Sequence, residues 1–167
     1  FEFEIKTKEV EETYPDSLAV DEVAAYLARK KASAAEEYLA PNTVLLAADS
    51  IVVLENTIFG KPKDHQDAVR ILTALSGNMH RVITGVCLKS STQEKVFSGI
   101  SKVYFDTLSP EEIDFYIKKY QPYDKAGAYA IQEWIGLCKI KKIEGTYSNI
   151  MGLPVQMVYE NLYKHFM

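Results

Sequence analysis

Apolar and polar positions alternate along Phe1–Val10, a period of two that predicts a strand. From Asp21 to Tyr38 the period changes: Val23, Tyr26, Leu27, Ala34 and Tyr38 share one helical face, and Pro41-Asn42 ends the helix. Val44 to Leu54 is apolar on both faces, as in an interior strand, and doubles back at Glu55-Asn56 into Thr57-Ile58-Phe59. Asp64 to Ser76 is a second helix, with Ala68, Ile71, Leu72 and Leu75 at helical offsets and Gly77 as its stop. Two strands follow, Arg81–Leu88 and Lys95–Phe105, joined by the polar Lys89–Gln93. Ser109-Pro110-Glu111-Glu112 is a capping box with proline at the first helical position, so Glu111–Tyr120 is helical. A glycine-containing loop, Gln121–Gly127, leads to Ala128–Gln132; a strand over Leu137–Ile143 follows, and Pro154 opens a last helix. This alternation, without strict βαβ regularity, predicts an α/β domain with a mixed sheet.

Asp49 breaks the most apolar of these runs. Val44-Leu45-Leu46-Ala47-Ala48 leads straight into Asp49-Ser50, and Ile51-Val52-Val53-Leu54 follows at once. A carboxylate in such a strand costs roughly several kcal/mol unless a cation, hydrogen bonds or a metal compensates it. A satisfied aspartate in a turn or bulge and a functional carboxylate both fit the run, so its companions decide.

At 167 residues, 47% hydrophobic and 25% charged, the chain fits one globular domain with a sizeable core. Cys87 and Cys138 sit in apolar, strand-like segments and read as buried free thiols in a reducing compartment. His65, His80 and His165 lack the paired spacing of a zinc site. No apolar run approaches a membrane span, and no signal peptide is visible. A net charge of −4 argues against a general nucleic-acid binder, though not against a nucleotide pocket, which needs only a few local cations.

The remaining charge gathers near element ends, where open α/β sheets place their ligands. Glu11-Glu12-Thr13-Tyr14-Pro15 ends the first strand with two carboxylates, either of which can be a solvated surface group. Lys30 and Lys31 lie toward the apolar face of the first helix; snorkelling explains both, and periodicity does not choose between them. Gly60-Lys61-Pro62 holds a lysine in a tight turn. Asp124-Lys125-Ala126-Gly127-Ala128-Tyr129-Ala130-Ile131-Gln132 is a loop of small residues between an ion pair and a primary amide. Small residues let backbone N–H groups approach ligand oxygens, and a glutamine amide can read a base edge as donor and acceptor at once. Gly145-Thr146-Tyr147-Ser148-Asn149 is a second polar loop, before the last helix. Ordinary turn chemistry also accounts for both loops. Together these parts suggest carboxylates for a divalent cation and lysines for phosphate oxygens, and hence metal-assisted attack of water on a phosphoanhydride.

The chain resembles the Maf family of nucleoside triphosphate pyrophosphatases. The resemblance is carried by Glu12-Thr13-Tyr14-Pro15, Leu27-Ala28-Arg29-Lys30-Lys31-Ala32, Ala48-Asp49-Ser50-Ile51-Val52 and Gly60-Lys61-Pro62. It continues through Leu75-Ser76-Gly77 with His80, Thr84-Gly85-Val86, Asp124–Tyr129, Ile131-Gln132 and Asn149-Ile150-Met151-Gly152-Leu153-Pro154, in family order across nearly the whole chain. It implies a two-lobed fold around a long twisted mixed sheet with a central cleft. It also implies a cytoplasmic housecleaning enzyme that splits nucleoside triphosphates between the α and β phosphates. The implied cofactor is Mg²⁺, with Mn²⁺ as the substitute; the implied partners are the nucleotide and a second subunit in a homodimer, with no nucleic acid and no membrane. By position, Asp49 resembles the proton acceptor and, with Glu12, the metal-side carboxylates. Lys31 rather than Lys30, together with Lys61, resembles the phosphate ligands, while Asp124 and Lys125 shape the same pocket. Ser50 and Gln132 match the positions that set base preference, and their pairing resembles the branch acting on dTTP and UTP.

Departures qualify this expectation. The family's N-terminal strand and Ser-x-Ser-Pro-Arg-Arg loop are expected before Phe1, so the arginines of that loop have no counterpart here. Ser50 stands for the commoner Thr, Ala130 for a Gly, and Glu133-Trp134 for smaller residues. Other base preferences (7-methyl-GTP, CTP) are the nearest alternative. A nucleotide-binding regulator of cell division without turnover is the alternative of another class.

Overall fold

The computed structural model describes residues 1–167. Strands β1 (Leu45–Leu54), β2 (Thr57–Phe59), β3 (Met79–Lys89), β4 (Glu94–Phe105) and β5 (Ile140–Glu144) form one sheet in the order β2-β1-β3-β4-β5. The α/β class is as expected, but all four pairings are antiparallel where a mixed sheet was expected. The connections explain this. Glu55-Asn56 turns β1 into β2 with Glu55 in the left-handed region, and Ser90–Gln93 folds β3 onto β4; both are reversals.

Strand parity sorts the side chains between two layers. Helix α1 (Val20–Ala34) covers one face, where Val23, Ala24 and Leu27 pack on Ile51, Val53 and Ile83. On the other face Val52, Val82, Val103 and Phe105 pack against α2 (His65–Leu75) and α3 (Pro110–Tyr120), and against the segment around Ala128–Ile131. At the far end of that face Val86 and Leu88 meet Val158 of the last helix, α5 (Val155–His165). The capping box at Ser109 and Glu112 is formed, and Asp64 caps α2. No helix is long and apolar enough to cross a membrane.

Several expected elements differ. Phe1–Val10 forms no strand: Phe1, Phe3 and Ile5 are 72%, 82% and 81% exposed, and no neighbouring strand supplies ladder partners. Alternation alone does not make a strand without a partner for its backbone. The first helix stops at Ala34, and Glu36–Tyr38 is a 3₁₀ turn; two glutamates at a helix C-terminus oppose its dipole. The strand expected over Leu137–Ile143 starts at Ile140, because Trp134–Cys138 forms a short helix, α4, around the buried Ile135. Cys87 is buried as expected, but Cys138 is exposed at the end of α4; both are free thiols.

His80 is fully buried in the larger core, where Nε2 shares a 2.7 Å hydrogen bond with the Tyr129 hydroxyl and Nδ1 has no partner. Burial disfavours the imidazolium and pushes its pKa from 6.5 down to about 4. The folded state therefore refuses a proton that the unfolded chain accepts below 6.5. The stability contribution is complete above pH 6.5, falls between 6.5 and 4, and is flat below. Between pH 7 and pH 5 this group should lower unfolding free energy by about 2 kcal/mol. Urea titrations at both values, run beside His80→Asn, should show that difference only in the wild type; an equal pH slope in both proteins would contradict it.

Candidate active site

Four of the predicted residues meet at the open end of α1. Glu12 accepts from Lys31 at 3.0 Å and from Lys61 through both carboxylate oxygens at 3.0 Å. Lys31 also donates to Asp49 in a short contact. Lys31 thus bridges two carboxylates, and Glu12 bridges two lysines. Asp49 is the inner member, its side chain only 8% exposed, and Lys61 the outer, at 51%. An open cavity of about 600 Å³ lies over the group, lined by Lys8, Glu9, Val10, Glu11, Glu12, Lys31 and Lys61. Asp49 is not part of that lining, since Lys31 stands in front of it.

The local sequence explains this convergence. Ala24, Ala28 and Ala32 form a fully buried stripe of small residues, which lets α1 lie close on the sheet. Gly85, the partner of Asp49 across the β1–β3 ladder, leaves room for the α1 backbone at Ala24 and Ala25. The last turn of α1 then carries Lys31 to the Asp49 carboxylate. Lys30, not expected to act, donates to the Thr13 carbonyl at 3.1 Å and its hydroxyl at 2.8 Å, anchoring the segment that carries Glu12. The adjacent lysines were the only sign of it in the sequence.

The charges are unequal partners. Burial of Asp49 outweighs its bond to Lys31 and holds its carboxyl above the usual range. For Lys31 burial works against the charge, but two carboxylates prevail and raise it. Burial opposes the charge of Glu12 too, and the two lysines nevertheless lower its pKa. The directions agree physically, because Asp49 has one ammonium that it shares while Lys31 has two anions. Asp49 is therefore the carboxylate most ready to accept a proton.

The other predicted residues lie around this group. Asp124 and Lys125 pair at 2.7 Å, and Lys61 adds to the lowering that Lys125 imposes on the Asp124 carboxyl. Their loop is tied to the Lys61 turn by the Gly127 N–H, which donates to the Gly60 carbonyl at 3.1 Å. Gly127 has φ +71°, and a side chain there would meet Val52 at 2.7 Å. Ala128 also lies in the left-handed region, whereas Ala130 does not, so the alanine at 130 meets no backbone obstacle. Ser50 is not in the lysine–carboxylate group. It points to the opposite face, where its hydroxyl shares a 2.7 Å hydrogen bond with Thr84, which donates to the Asn149 carbonyl. Gln132 is exposed, in the turn closed by the Glu133 N–H on the Ala130 carbonyl. The segment before it, Ala128–Ile131, packs on the Ser50 face. β2 pairs with β1 only at Val52–Leu54, beyond Asp49-Ser50.

The family model described as "Maf-like protein" matches residues 1–165. A dTTP/UTP pyrophosphatase of Phocaeicola vulgatus is 47% identical over 163 residues, covering 97% of this chain and 84% of that protein. One of Bacteroides thetaiotaomicron is 48% identical over 156 residues, covering 93% and 81%. One of Flavobacterium johnsoniae is 47% identical over 161 residues, covering 96% and 83%.

Proposed function

The chain belongs to the Maf family, and from that premise we propose that it hydrolyses dTTP and UTP to the monophosphate and pyrophosphate. The observation that supports this best is the buried Asp49 carboxylate behind two lysines at an open cavity. Lys31 and Lys61 hold phosphate oxygens, and on binding they exchange carboxylate partners for the substrate. Asp49 takes the proton of the attacking water; its raised pKa makes it a better acceptor than an exposed aspartate. Asp124 and Lys125 close the Lys61 side of the pocket, while Ser50 and Gln132 stand on the base side.

The donor set suits a magnesium ion. Glu12 and Asp49 are two carboxylates already bridged by one cation, the Lys31 ammonium, and Mg²⁺ takes one or two carboxylates plus substrate phosphates. When bound, the ion would neutralise phosphate charge and lower the pKa of water. Manganese is the substitute expected to serve.

Pyrophosphate release from a panel of ordinary, methylated and halogenated nucleoside triphosphates with Mg²⁺ tests this reading. Release should concentrate on dTTP and UTP. In Gln132→Glu the preference for UTP over CTP should fall by about tenfold, since one amide donor is lost. A flat ranking in the wild type would remove the base assignment. Binding of nucleotides without any release would instead favour the regulator.

A further inference from the structure

Gln132 lies on a short bridge both ends of which are tied to one buried phenol. The hydroxyl of Tyr116, on α3, accepts from the Ala130 N–H at 3.1 Å and donates to the Glu133 carboxylate in a short contact. Tyr116 is fully buried, its ring stacked on Tyr120 at 5.0 Å. Burial and the neighbouring Glu133 push the phenol pKa up, so it remains a donor. The Glu133 N–H closes the bridge on the Ala130 carbonyl at 3.1 Å. Only Ile131 and Gln132 lie between the two clamped residues; Ile131 is buried in the core and Gln132 faces outward. The geometry therefore leaves Gln132 the one free side chain on a fixed frame.

Resting on the reading that Gln132 meets the base, we propose that Tyr116, with Glu133 as its acceptor, is a specificity-determining positioning residue. It fixes where the Gln132 amide stands and so which pyrimidine edge that amide can match. Uracil and cytosine differ by a carbonyl against an amine beside a ring nitrogen of opposite hydrogen-bonding sense. A backbone fixed at both ends sets where the amide meets the base edge, whereas a loose turn lets it shift to meet either edge. The remaining anchors of the loop do not pass through Tyr116: Gly127 is held by Gly60, and Tyr129 by His80. Loosening the clamp should leave the lysine–carboxylate group in place.

Tyr116→Phe removes both bonds and keeps the ring. The preference for UTP over CTP, measured as the ratio of kcat/KM, should fall about tenfold through a higher KM for UTP, with kcat within about threefold. Glu133→Gln, which keeps an acceptor, should retain most of the preference, and Glu133→Ala should lose it as Tyr116→Phe does. Thermal unfolding of each variant separates loss of preference from loss of fold. An unchanged ratio in Tyr116→Phe and Glu133→Ala, where Gln132→Glu does move it, overturns the clamp alone. An equal fall in kcat for every nucleotide also overturns it, since that is a general structural loss. A wild type indifferent to the base overturns the reading of Gln132 and the clamp together.

Discussion

Asp49→Asn is expected to lower kcat for UTP and dTTP by about 10²- to 10⁴-fold, the range for a lost general base. The substitution keeps the shape of the side chain and removes its charge and its basicity. Lys31 keeps Glu12 as a partner, so its ammonium is not released into the cavity. KM should therefore change far less than kcat. Stability moves the other way: burial already disfavours the ionised Asp49, so a neutral amide should leave the melting temperature unchanged or raise it. That opposition separates a catalytic aspartate from a structural one. Turnover within a few-fold of wild type would leave Asp49 as a buried ion-pair partner, and a large fall in melting temperature would place the loss in folding rather than chemistry.

The elements that could be read from the chain are those whose signal is local. The Ser109–Glu112 capping box and the apolar offsets of Asp64–Ser76 need no information from elsewhere, and both helices form. Phe1–Val10 had an equally regular pattern, but a strand needs a neighbour and residue order does not provide one. Trp134–Cys138 became helical around Ile135, whose burial depends on α3 and the larger core rather than on its own period. At the site, Asp49 announced itself by its cost. Its convergence with Glu12 and Lys61 could not be derived from spacing, because Glu12 and Lys61 stand 49 positions apart; that part came from the family resemblance. Strand parity accounts for the placement of Ser50, which the resemblance alone had set only beside Asp49. Neighbours on a strand point to opposite faces, so Ser50 could not share the Asp49 face.

Gly85→Ala should be strongly destabilising, lowering unfolding free energy by roughly 3 kcal/mol or more, at the upper end of overpacking costs. The backbone angle there is ordinary, so the cost is one of space alone. The added methyl would fall inside the α1 backbone at Ala24 and Ala25, and backbone cannot swing aside as a flexible side chain can. Helix α1 would have to lift from the sheet, opening the layer in which Val23, Ala24 and Leu27 meet Ile51, Val53 and Ile83. Lys31 rides on the last turn of that helix, so its bond to Asp49 should lengthen and turnover fall in the protein that remains folded. Gly60→Ala is the control for stability, since nothing lies within 4 Å of a side chain added there. Denaturant midpoints and kcat measured on the two variants should separate widely. Equal stability of Gly85→Ala and wild type would mean that α1 can shift at no cost, and that its close seat on the sheet does not position Lys31.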